Sequence, residues 1–269
     1  MNKLIKLLTT LLIVLFSISA CDDDDDMPNV NEPGSLSIMM ENKFGTDNVN
    51  LSSTFTSSKG DDLTFTRFEY IISNIALVME DGSNYEVPDS YFIMGQRNDN
   101  ASNRQMFELS NIPAGTYTGI KFAVGVDAAS NANTDNYEKG ELEGGIGMDW
   151  GWASGYKFIR WDGSYFNNAE NTDINFSLHI GTDDNYKVIE KDFTENITIN
   201  AEMTSELHFE VRANKVFDVI GFNELGLNFP PSEPVKTFSA VMFGPADKAS
   251  TIADAYADMF MLHHVNNMN

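Results

Sequence analysis

Ile174-Asn175-Phe176-Ser177-Leu178-His179-Ile180-Gly181 alternates apolar with polar or small residues from end to end. Successive side chains of a strand point to opposite faces. Ile174, Phe176, Leu178 and Ile180 therefore share one side, and Asn175, Ser177 and His179 the other. A strand of this kind suits an antiparallel sheet with one face in the core and one in water. Ile120, Phe122, Val124 and Val126 repeat the period, as do Leu207, Phe209 and Val211 between Glu206, His208, Glu210 and Arg212. Turn signals punctuate the runs: Asp81-Gly82, Pro113-Ala114-Gly115, Asp162-Gly163 and Asp183-Asp184-Asn185. The pattern predicts an all-β domain, an antiparallel β-sandwich or a barrel-like fold. One C-terminal helix is expected: Ser250 can cap it, and Ile252, Tyr256, Met259, Phe260 and His263 fall at helical spacing.

The N-terminus reads differently. Lys3 and Lys6 precede an apolar run from Leu7 to Phe16 that only Thr9 and Thr10 interrupt, and Ser17, Ile18, Ser19 and Ala20 lead to Cys21. A basic start, a short apolar stretch and small residues before a cleavage point describe a secretory signal over residues 1–20. The stretch is too short to cross a bilayer. Cys21, the only cysteine, sits where a bacterial lipobox carries its acylated thiol, so a lipid anchor on Cys21 is expected. Asp22 to Asp26 follow; five adjacent carboxylates repel one another and stay solvated. Residues 21–34 thus read as an acylated acidic tether and 35–269 as the folded domain. The aspartate run also resembles the signal that sends lipoproteins of the Bacteroidetes to the outer face of the outer membrane, which implies a cell-surface location.

The chain carries 40 acidic and 17 basic residues, a formal charge of −23. Loss of Lys3 and Lys6 with the signal leaves the mature chain more negative still. Such a surface repels nucleic acid and anionic lipid and attracts cations. With no cysteine left for disulfides, the fold must rest on its core. No Gly-x-Ser-x-Gly elbow, His-Glu-x-x-His motif or phosphate-binding glycine loop is present. A non-enzymatic protein is expected.

Gly147-Met148-Asp149-Trp150-Gly151-Trp152-Ala153-Ser154-Gly155-Tyr156-Lys157-Phe158 is the most distinctive segment. It resembles the Gly-Met-x-Trp-x-Trp-x-x-Gly-Tyr-x-Phe signature of the MbnP-like (methanobactin-partner) copper-binding lipoproteins. Four further segments agree in order: Phe68 to Ile75 with Val87 to Tyr91, Ile112 to Asn131, Phe176 to Gly181, and Ile252 to Val265. The last is similar to the closing helix of Bacteroidetes members. The resemblance covers about residues 35–266.

In that family a tryptophan is oxidised to kynurenine by a dihaem peroxidase-like partner, and the product holds copper together with histidines. Indole only donates, whereas kynurenine offers an aromatic amine and a ketone, and imidazole suits copper. The resemblance implies His179, Trp150, Trp152 and His264 as the metal-site residues. His263 adjoins His264, and on a helix adjacent side chains diverge by about 100°. Met148 is a further soft donor, and Trp161 a less specific indole. This chain departs from the copper-binding relatives in carrying Ala132 after Asn131 and Phe92-Ile93 after Tyr91, where relatives have histidines. His208, between Glu206 and Glu210, reads as solvent-exposed.

Two other readings arise from the residues. Trp150, Trp152 and Tyr156 form a stacking platform for a glycan or protein if they are exposed. Asp127, Asn131 and Asp135 are oxygen donors spaced as in a calcium loop, although the glycine and the acidic last ligand of such a loop are missing.

Overall fold

The computed structural model describes residues 31–98, 102–132, 141–142, 147–150, 155–223, 237–242 and 247–268. Cys21, the aspartate run, Trp152 and Asp135 lie outside the described residues. Among the described residues, the longer strands organise the fold. They are β1 (Gly34–Phe44), β2 (Asp62–Met79), β3 (Tyr91–Arg97), β4 (Met106–Ile112), β5 (Gly115–Val124) and β6 (Lys157–Asn167). β7 (Thr172–Gly181), β8 (Lys187–Ile199), β9 (Thr204–Arg212), β10 (Thr237–Met242) and β11 (Phe260–Met268) complete the set. Three helices interrupt them: α1 (Ala128–Asn131), α2 (Asn214–Val219) and α3 (Asp247–Ala257).

Two sheets pack face to face. The smaller runs β11–β9–β1, with β4 on the far edge of β1. The larger runs β8–β5–β2–β6–β7–β10, and β3 pairs along the other edge of β2. Neighbours are antiparallel except β1 with β9 and β7 with β10. The expected sandwich is therefore the observed architecture, and the period-two runs are its strands.

Burial follows the alternation. Ile174, Phe176, Leu178 and Ile180 on β7 and Leu207, Phe209 and Val211 on β9 are all buried. Across the sandwich Phe122 meets Phe209 edge-on with ring centroids 5.5 Å apart, and Tyr70 donates to Asn42 Oδ1 at 2.9 Å. Aromatic contacts of this sort add about 0.5–1.5 kcal/mol each beyond the area they bury. Trp161 belongs here: it is fully buried, stacked on Phe68 at 4.6 Å and on Phe217 at 5.6 Å. It is a core residue rather than an oxidisable site residue.

The expected C-terminal helix is present but ends before His263. α3 begins at Asp247 and ends at Ala257, and Phe260–Met268 forms β11 along β9. Tyr256, Met259 and Phe260 are buried, so the apolar spacing was real. The free hydrogen-bonding edge of β9 captures the chain beyond Asp258, and an exposed edge is a strong template for pairing. His263 and His264 are thus strand residues.

Candidate functional site

The segment Gly147–Trp150 and the start of β6 form a flap over the outer face of the larger sheet. Asp149 bridges to Tyr156, Trp150 N–H donates to Gly155 O at 3.0 Å, and Lys157 N–H to Met148 O at 2.6 Å. The turn needs two glycines in the left-handed region, Gly147 at φ 84° and Gly155 at φ 104°. Asn131 ties the flap down, accepting from Tyr156 N–H at 2.8 Å while its amide donates to Asp183 at 2.8 Å. Met148 is fully buried among Ile71, Tyr91, Val126, Leu142, Tyr156 and Phe158, an apolar packing role.

Trp150 lies under this flap, 5% exposed, with its indole N–H donating to Tyr156 O at 3.1 Å. Its ring centroid is 6.2 Å from that of His179. Gly181 makes this approach feasible: a Cβ there would lie 2.4 Å from Tyr156 O and 3.1 Å from the indole nitrogen. The Trp-containing motif and the His-Ile-Gly strand, remote in sequence, thus build one pocket.

Below the indole, the outward residues of β2, β6 and β7 interleave charge. Arg160 stands opposite both Glu69 and His179, and Asp162 opposite Arg67 and Ser177. His179 Nε2 is 2.7 Å from Asp162 Oδ1, and the side chain is 12% exposed. Burial works against the charged Asp162, but the hydrogen bond and field of His179, then Ser177 and Arg160, bring its pKa down to about 2. Arg67 pairs with Glu69 at 2.5 Å, and burial pushes the Glu69 carboxyl up. Lys157 sits 4.8 Å over the Trp150 ring and donates to Gly147 O and Asp149 O. Burial, with Arg160 nearby, brings its pKa down to about 8. A carboxylate holding one imidazole nitrogen leaves the other, Nδ1, facing away from it, the second-shell arrangement that orients histidine ligands.

The structure brings Trp150 and His179 together but not His264, which lies on β11 of the smaller sheet. There His264 is 4.6 Å, ring to ring, from His208. The expectation that His264 shares a site with His179 is therefore corrected. That expectation came from the family resemblance; the structure instead sets His264 on β11 of the smaller sheet and His179 on β7 of the larger. The stacking platform also fails for Trp150 and Tyr156, both buried and unable to present a face to a glycan. His208 is on the outer face, as alternation required, yet only partly exposed and paired with Glu41 at 3.2 Å.

The calcium reading does not survive for Asp127. Its Oδ1 caps α1 through Ser130 N–H at 3.1 Å, and its Oδ2 accepts from Tyr91 at 2.5 Å and Asn74 at 3.3 Å. Burial opposes the charge, but these donors bring its pKa down to about 2. The pKa is depressed in the folded state, so the stabilisation is fully present above the unfolded value near 4 and is lost as pH falls through 2. Asp127 is partly exposed, so roughly 1 kcal/mol is expected after solvent screening. Asp127→Ala should lower stability by about that much at pH 7, and the difference from wild type in urea melts should vanish near pH 2. An undiminished difference at pH 2 would contradict the assignment.

Comparison with known proteins now bears on the fold. The MbnP family model matches residues 33–235. Among solved structures, MbnP from Methylosinus trichosporium is similar, with 11% identity over 68% of this chain and 77% of that one and a TM-score of 0.47. No curated protein matches the chain.

Proposed function

Because the chain belongs to the MbnP family, we propose that it is a secreted lipoprotein, anchored at the outer membrane through Cys21, that binds copper in the Trp150–His179 pocket. It works as a binding protein without turnover. The observation that carries this reading is the 6.2 Å approach of a buried indole to an imidazole whose other nitrogen is held by Asp162.

The donor set decides what the pocket can hold. In the unmodified chain the indole N–H is spent on Tyr156 O, and His179, with its Nε2 on Asp162, is the imidazole that approaches it. A single imidazole is a weak site. Oxidation of Trp150 to kynurenine adds an aromatic amine and a ketone next to His179. Two equivalents of peroxide, each reduced to water, insert two oxygens across the indole C2–C3 bond. Water then releases C2 as formate, for a net gain of one oxygen and loss of one carbon. The oxidant is handled by a dihaem peroxidase-like enzyme in this reading. Copper, when bound, brings a Lewis acid that prefers nitrogen and soft donors.

Protein from the native host should show that mass change on the peptide containing Trp150 and should carry copper. His179→Ala should lose the copper while keeping the modification. Native protein with an unmodified Trp150, or with equal copper in the His179→Ala variant, would overturn the proposal.

A further inference from the structure

The second histidine cluster lies on the outer face of the smaller sheet. Nitrogens of His208, His263 and His264 lie within 4.8 Å of one another, the one such group among the described residues. Ring centroids are 5.4 Å apart for His208–His263, 4.6 Å for His208–His264 and 5.1 Å for His263–His264.

Neighbours in a regular strand point to opposite faces, so His263 and His264 should not meet. A bulge brings them together. Pairing between β9 and β11 runs from His208–His264 directly to Phe209–Leu262, leaving His263 as the extra residue. Bulges re-aim side chains in this way and recur beside functional sites. Here the outcome is two Nδ1 atoms 2.8 Å apart. Two neutral imidazoles can meet so closely only by sharing one proton, which a metal ion can replace.

Carboxylates steady the outer nitrogens. Glu41 Oε2 is 3.2 Å from His208 Nε2, and Glu210 Oε1 is 3.9 Å from His263 Nε2. That leaves His208 Nδ1 and the Nδ1 pair shared by His263 and His264 as the nitrogens a metal would take, with a carboxylate behind the His208 and His263 rings. Thioethers extend the same cross-strand row: Met106 is opposite Met39, Met39 opposite His208 and His208 opposite His264. Met106 is 52% exposed and Met39 alternates with buried Ile38 and Met40, so both lie on this outer face.

We propose that His208, His263 and His264 form a second metal site, specific for a first-row transition ion that prefers imidazole, either copper or zinc. It is independent of the Trp150–His179 pocket and requires no oxidised tryptophan. Two of its three ligands lie beyond the residues the family model matches. Tetrahedral nitrogen ligands about 2.0–2.1 Å from an ion stand about 3.4 Å from one another. Solvent supplies the remaining position.

The test is calorimetric titration of the full mature chain, made in a recombinant host, with Zn²⁺ alone and with Cu²⁺ alone. Co²⁺ absorption reports coordination. Wild type and His179→Ala should each bind one equivalent here. His208→Gln and the exposed-site variant His263→Gln should weaken binding by at least about tenfold, the scale on which even outer-shell partners act. Metal-free melting curves matching wild type show that each variant folds. Wild-type affinity in both variants, or no uptake of either ion by the His179→Ala protein, would overturn the proposal. Loss of this binding through His179→Ala alone would move the metal to the other pocket and equally overturn it.

Discussion

Trp161→Ala is expected to destabilise the protein by about 3–5 kcal/mol, the range for deleting a fully buried large aromatic. The ring is sandwiched between Phe68 and Phe217 and also meets Phe65 edge-on at 6.4 Å. Those four aromatics join the larger sheet to α2, and a packed core of this kind collapses only partly into the gap. Urea denaturation at neutral pH measures the loss. Trp161→Phe should cost much less, because it keeps the stack and removes a buried indole N–H that has no hydrogen-bond partner among the described residues. Neither substitution should alter the modification or metal content at Trp150, since Trp161 points into the core and Trp150 lies on the outer face. A loss below about 1 kcal/mol for the alanine variant would refute the core assignment.

Gly181→Ala is the second large effect. The added methyl would sit 2.4 Å from Tyr156 O and 3.2 Å from Trp150 Cζ2, so the obstacle is backbone and a buried ring together. Forced overpacking costs about 1–3 kcal/mol where the surroundings can yield. The yielding element here is the flap, whose attachment to the sheet runs through Tyr156. We therefore expect the flap to lift and Trp150 to become wetter, seen as a red shift in tryptophan fluorescence alongside a lower melting temperature. On the proposed copper-binding reading, the same variant should also carry less copper in the native host, because the indole and His179 would separate. A variant with unchanged fluorescence and stability would show that Gly181 is not what lets Trp150 approach.

Strand alternation was legible in the sequence because a two-sided sheet imposes it residue by residue. Leu178 and Ile180 had to face inward and His179 outward, whatever the strand order. That Gly181 admits Tyr156 O and the Trp150 ring was decided by packing, not legible in its strand. Helical spacing at the C-terminus held for Ile252 and Tyr256, which lie in α3, but carried the helix too far, since Met259 and Phe260 are buried in either conformation. Local periodicity cannot report that β9 has an edge in need of a partner.

The amino-acid sequence by itself determined an acidic, mostly β domain and the inward or outward side of each alternating strand, because those depend on local pattern and composition. Tertiary structure alone decided which histidines meet. Pairing register put His179 beneath Trp150 and His208 beside His264, and a one-residue bulge turned His263 to join them. Register and bulge are settled by contacts between distant segments, and no local run of residues encodes them.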